Sequence, residues 1–126
     1  MTNNINIEVL KKADSVLEKF MKNDKIEQEQ AGIMQSFEYC YELSWKIMKK
    51  VLNSEGLEVS TPKQVIREAG NAKIIDDVKL WIEFVNKRNL TVHTYNELVL
   101  KEIMEIMPKF KDELSKLIKE LENRVK

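Results

Sequence analysis

The chain has 126 residues, with 21 basic and 21 acidic side chains, 43% hydrophobic residues, three glycines, two prolines and one cysteine. That is the length of one ordinary domain, so a single domain over residues 1–126 is expected, with enough apolar material for one core. The zero formal charge excludes a general nucleic-acid coat protein, which needs surplus Lys and Arg against phosphate, but leaves room for a small local basic site.

Cys40, alone, cannot form an internal disulfide, which excludes a secreted disulfide scaffold and fits a reducing cytoplasm; lying in an apolar run, it reads as a small core residue. The N-terminal MTNNINIEVLKKADSVL has no basic start leading into an apolar block, and no apolar run approaches the ~20 residues of a bilayer span. A soluble cytoplasmic protein, without signal peptide or membrane anchor, is expected.

Few helix breakers and much Glu, Lys, Leu and Ile favour long helices. The first is expected over Asn6 to Lys22, where Val9, Ala13, Val16, Leu17 and Phe20 recur at spacings of three and four. After the polar KNDKIEQEQ, a second runs from Glu29 to Ser54 and ends at Gly56. It carries two adjacent apolar stripes, Phe37–Tyr41–Ser44–Trp45–Met48–Leu52 and Cys40–Leu43–Ile47–Val51. Together these cover roughly 200° of the circumference, against about 100° for an ordinary amphipathic helix. Such a helix must bury two sides, either as the central helix of a bundle or as one shared with a second subunit.

STPKQVIREAG opens a short third helix, with Thr61 as N-cap, Pro62 in the first turn, Gln64 completing a capping box and Gly70 as the stop. Asp76 and Asp77 begin the fourth, whose apolar face is Leu80, Trp81, Phe84 and Val85 and whose last turn holds Lys87 and Arg88. The fifth begins near Thr94 or Tyr95. Val99, Ile103, Ile106, Phe110, Leu114, Leu117 and Leu121 hold one phase through Pro108, which favours a kinked helix there over two independent ones. With no strand candidate, repeat or linker, the sequence predicts an all-α, up-and-down four-helix bundle with one additional short helix.

Chemistry concentrates in RNLTVHTYNE, residues 88–97, which holds the only histidine. Arg88 ends one helix and His93 precedes the next, so both project from one corner. Imidazole titrates near neutrality and can move a proton from an RNA 2′-hydroxyl or to a leaving oxygen. Guanidinium can stabilise charge developing on phosphate oxygens. Such phosphodiester cleavage needs no metal. It commonly needs both a general acid and a general base, so a chain with one histidine would need a second copy across a two-fold axis.

A polar corner between helices accounts for the same residues without any activity, since an arginine in a last turn is favoured by the helix dipole alone. The aromatic residues of FEYCYELSW fit a core better than a stacking platform. Glu38 and Glu42, one turn apart with neither His nor Cys beside them, fit a solvated face better than a metal site. No P-loop, GxGxxG, Cys-rich metal motif or Ser-His-Asp pattern is present, so neither metal nor cofactor is expected.

Arg88, four residues, His93, one residue, Tyr95 resembles the R-x4-H-x-Y motif of the HEPN superfamily. The blocks QSFEYCYELSWKIMKKVL, TPKQVIREA and LWIEFVNKRNLTVHTYNE are similar, in order, to those of its nucleotidyltransferase substrate-binding protein branch, and the resemblance covers nearly the whole chain. It implies a HEPN-like bundle that forms a homodimer and works with a minimal nucleotidyltransferase encoded nearby, in a two-component, toxin–antitoxin-like system.

Three roles follow from the resemblance. The chain is a subunit that binds the transferase's RNA or nucleotide substrate; or it is a metal-independent RNase toxin of HepT type, neutralised by AMP addition; or it is a non-catalytic dimeric docking subunit. By resemblance Arg88 and His93 are the catalytic pair, Asn89 and Tyr95 contact substrate, and Tyr95 is the modified residue. There is one departure: members of the branch often carry Arg-Asp before FEY, where this chain reads EQEQAGIMQ.

Overall fold

The second helix is the axis around which the others are arranged. In a computed structural model describing residues 5–22, 27–93 and 96–125, the order is α1 (Glu8–Met21), α2 (Glu27–Ser54), α3 (Pro62–Asn71), α4 (Val78–Leu90), a 3-10 turn (Thr91–His93) and α5 (Glu97–Arg124). No strand occurs among the described residues, and the architecture is the expected helical bundle. Helix α2 packs against all four other helices. Its two stripes are thereby largely covered inside one chain: Phe37, Cys40, Tyr41, Ser44, Ile47, Met48, Val51 and Leu52 are buried, and Leu43 and Trp45 are partly buried against the core. The central position in the bundle accounts for most of so wide an apolar surface.

Local sequence sets most helix ends. Asn6 is not the first residue of α1; its Oδ1 accepts the Glu8 N–H at 2.8 Å and starts the helix two residues later. Helix α2 closes with a left-handed Gly56 (φ 91°), where the Gly56 N–H donates to the Asn53 carbonyl and the Leu57 N–H to the Leu52 carbonyl. Thr61 caps α3 by accepting the Gln64 N–H at 3.3 Å, and Gln64 Oε1 accepts the Ser60 N–H at 2.9 Å, one residue earlier than in the usual reciprocal box. Asp77, not Asp76, caps α4.

Two sequence expectations need correction. Gly70 does not stop α3, which runs to Asn71 with Ala72 as C-cap. The left-handed residue of that cap is Lys73 (φ 63°), with the Lys73 N–H donating to the Gly70 carbonyl and the Ile74 N–H to the Ala69 carbonyl. Gly70 serves packing instead, because a Cβ there would overlap Val78 Cγ2. Helix α5 begins later than expected, at Glu97, because the Asn96 side chain accepts the Leu98 and Val99 N–H groups. The proposed start residues Thr94 and Tyr95 lie outside the described residues. As the continuous phase predicts, α5 is one helix through Pro108, which sits on the exposed face where water can replace the lost backbone bond.

The core is one cluster, and its densest point is aromatic. The ring of Phe110 on α5 meets Phe37 of α2 at 4.9 Å, Phe84 of α4 at 5.1 Å and Trp81 of α4 at 6.1 Å, all edge-on. These contacts join three helices. At the far end, Arg124 donates to the Ala72 carbonyl at 2.8 Å and pairs with Glu120 at 2.7 Å, tying the last turn of α5 to the cap of α3. Between α1 and α5, Lys111 Nζ lies 2.8 Å from Asp14 and 3.3 Å from Glu18.

This packing sets two expectations for stability. Phe110→Ala removes the ring shared by three helices and should destabilise the chain by about 3–5 kcal/mol, read as a fall in the urea midpoint. The second concerns pH. Burial pushes the Cys40 thiol from its ordinary 9.0, and the Tyr41 phenol from 10.0, up to about 12. Over that range the unfolded chain loses these protons before the folded one does, so the folded state binds more protons and stability falls as pH rises. Lys111, raised above 10.5 because its bonds to Asp14 and Glu18 outweigh its burial, acts in the same direction. The urea midpoint should therefore decline between about pH 9 and pH 12, and less steeply in Cys40→Ala.

Candidate functional site

Arg88 sits in the last turn of α4, and its side chain turns back against α2. Its guanidinium lies 3.5 Å from Glu38 and 3.8 Å from Glu42, and Nη1 donates to Thr91 Oγ1 at 3.2 Å. The Thr91 hydroxyl in turn donates to the Arg88 carbonyl at 2.7 Å. Thr91 is buried and only 27% of the Arg88 side chain is exposed, so the guanidinium is held from two sides. The fit is incomplete at one atom: the Nε–H is buried, its approach to Glu42 is too long for a hydrogen bond, and it has no hydrogen-bond partner among the described residues.

Glu42 has several partners. Besides Arg88 it accepts the Trp45 indole N–H at 3.2 Å and lies 3.7 Å from Lys46. The expectation that Glu38 and Glu42 form a solvated face is therefore incomplete. Both are partly exposed, and both are committed to Arg88. Among the described residues no cluster of His, Cys, Asp or Glu is able to hold a metal ion.

The four residues expected at the site are only partly gathered. Arg88 and Asn89 share the wall of a cleft of about 380 Å³ with Tyr41 and Glu42 of α2, Thr61, Pro62 and Lys63 at the start of α3, and Val85. His93 is the last residue of the 3-10 turn, with an exposed side chain, and is not among the cleft's described lining residues. Its carbonyl accepts the Asn96 N–H at 2.9 Å, which fixes the turn into α5. Tyr95 lies outside the described residues.

The contribution of α3 was not legible in the motif. The capping sequence Thr61-Pro62 carries Lys63 to the opening beside Arg88, a juxtaposition that depends on α3 folding back onto α2 and α4. The Glu38/Glu42 pair did leave a trace, since two carboxylates one turn apart on a helix with so wide an apolar surface can reach a neighbouring cation. Nothing in the sequence identified which one.

Comparison with known proteins places this geometry. The family profile described as "Nucleotidyltransferase substrate binding protein like" matches residues 5–123. The chain belongs to that family. A Haemophilus influenzae protein named "Probable ribonuclease HepT" is 32% identical over 99 residues, covering 75% of this chain and 68% of that protein. A solved Haemophilus influenzae structure, described as the fold of a substrate binding domain of a nucleotidyltransferase, superposes with a TM-score of 0.82 at 28% identity, covering 93% of this chain and 99% of that one. A Thermus thermophilus crystal structure gives a TM-score of 0.76 at 32% identity, covering 86% and 98% respectively. No helix among the described residues of this family member is long and apolar enough to cross a membrane.

The Arg88 anchorage is open to measurement. A double-mutant cycle with Arg88→Ala and Glu42→Ala should return a coupling of about 0.5–1 kcal/mol in unfolding free energy, the range for a partly exposed ion pair. A coupling near zero would mean that Glu42 does not hold Arg88 in solution.

Proposed function

We propose that the chain is the substrate-binding subunit of a two-component pair, acting beside a minimal nucleotidyltransferase encoded nearby and presenting a nucleotide or RNA to it. The observation that carries this reading is the family match over residues 5–123, together with a cleft that contains Arg88 and Asn89 of the R-x4-H-x-Y segment. In this role Arg88, Asn89 and Tyr95 are the substrate-contacting residues.

A second reading is supported by the likeness to the HepT relative: a metal-independent ribonuclease in which Arg88 stabilises the phosphorane charge and His93 moves the proton, neutralised by AMP addition at Tyr95. One histidine per chain makes a homodimer part of this reading. Val92 and Leu98, exposed by 69% and 77%, flank His93 and would be covered by a second copy meeting at that corner.

The decisive experiment pairs the purified chain with its neighbouring transferase. Under the first reading the two form a stable complex, and the chain alone leaves RNA intact without metal. Cleavage by the parent that falls at least about a hundredfold in His93→Ala, the usual weight of a general acid–base group, would replace it with the ribonuclease reading. In that case, incubation with the transferase and ATP should add mass to the parent and not to Tyr95→Phe.

A further inference from the structure

We infer that the cleft between Tyr41, Lys63 and Arg88 is the seat of a nucleotide phosphate, with the first turn of α3 as part of the cradle. Helix α3, ten residues long, directs its N-terminus at this cleft through Thr61, Pro62 and Lys63. Pro62 has no N–H, and Thr61 already caps Gln64. The Lys63 N–H has no acceptor among the described residues, and the Lys63 ammonium makes no ion pair there. The positive end of a helix dipole and a lysine thus stand together at the opening, a combination that suits an anion.

One further observation, independent of that terminus, points to a ligand. Tyr41 is only 2% exposed yet forms part of the cleft wall, and its hydroxyl has no hydrogen-bond partner among the described residues. A side chain so deeply buried usually has its polar atom paired, so an acceptor seated in the cleft would complete it. The acceptor that this wall calls for is anionic and carries several oxygens. Lysine, arginine, a phenol and a free helix N–H all donate, and the single carboxylate on the described wall, Glu42, is already shared by Arg88, Trp45 and Lys46. At about 380 Å³ the cleft falls within the usual range for small-ligand sites.

His93 is not part of this wall, so the phosphate held here is a positioning contact and not the one that His93 would attack. The inference rests on the nucleotide-handling reading above but assigns the grip to Tyr41 and Lys63, which lie outside the R-x4-H-x-Y segment. Its test separates the two. The full chain is titrated by calorimetry with AMP, with adenosine, and with a short single-stranded oligoribonucleotide.

Saturable binding of AMP and not adenosine is expected, weakened about tenfold by Lys63→Ala and severalfold by Tyr41→Phe. Lys119→Ala, an equal charge loss on exposed α5 surface, should leave it unchanged. Binding of the oligoribonucleotide alone, with the same dependence on Lys63 and Tyr41, also supports the site and makes an RNA backbone the source of the phosphate. Three outcomes overturn it: no saturable binding of either phosphate probe, equal binding of AMP and adenosine, or binding indifferent to both substitutions in variants that retain the parent melting temperature. Failure to bind the transferase while AMP binding persists would remove the two-component reading and leave the phosphate site standing.

Discussion

The constraint on which the rest of the molecule depends is that α2 must bury two adjoining stripes at once. A helix with one apolar face can lie on the outside of a bundle; a helix with Phe37 and Tyr41 on one stripe and Cys40, Ile47 and Val51 on the next cannot. It has to be surrounded, and α1, α3, α4 and α5 supply the surroundings. Only the strip of α2 that is left holds partly exposed charge, and Glu38 and Glu42 stand there, facing the C-terminal turn of α4. The position of Arg88 is thus a consequence of core packing. The ring cluster of Phe37, Trp81, Phe84 and Phe110 locks α4 against α2 and α5, and that lock brings the guanidinium within reach of the two carboxylates.

The same constraint bears on oligomeric state. A doubly apolar helix suggests a subunit interface when seen as sequence alone, but here one chain covers most of both stripes. The exposed large hydrophobics among the described residues are Val9, Val16 and Tyr39 along the α1–α2 groove, Leu57 just after α2, and Val92 and Leu98 on either side of His93 in sequence. Only the last pair adjoins the candidate chemistry. The second copy that the ribonuclease reading calls for would have to bring its own His93 to that corner.

What could be read from the sequence and what could not divide along physical lines. The helices were legible because their signals are local or periodic: the Thr61-Pro62 start, the Gly56 stop and the long phase of α5 each depend on a few residues near one another in the chain. Gly70 misled because glycine has two uses, a left-handed cap and a close approach, and only the position of Val78 shows which applies. The start of α5 was placed early because a 3-10 turn lies between α4 and the Asn96 cap. At the site, Arg88, Asn89 and His93 were visible because they share one segment. The site roles of Tyr41 and Lys63 were not, nor was Arg88 as the partner of the Glu38/Glu42 pair, since these residues come from α2 and α3 and meet Arg88 only through tertiary packing.

The electrostatics of Arg88 set the terms for anything the site does. A guanidinium between two carboxylates is held in place, but its charge is largely neutralised, and an incoming phosphate must compete with Glu38 and Glu42 for it. Competition is feasible because both carboxylates are partly exposed and their contacts to Arg88, at 3.5 and 3.8 Å, are longer than a bidentate pair would make. The glutamates therefore aim the arginine without saturating it. Lys63, bound to no carboxylate among the described residues, makes up the shortfall. With aim supplied by α2, the guanidinium by α4 and the remaining charge by α3, a binding surface for an anion needs three helices to meet. A site distributed in this way grips only when the bundle is folded, which couples ligand affinity to the same packing that buries α2.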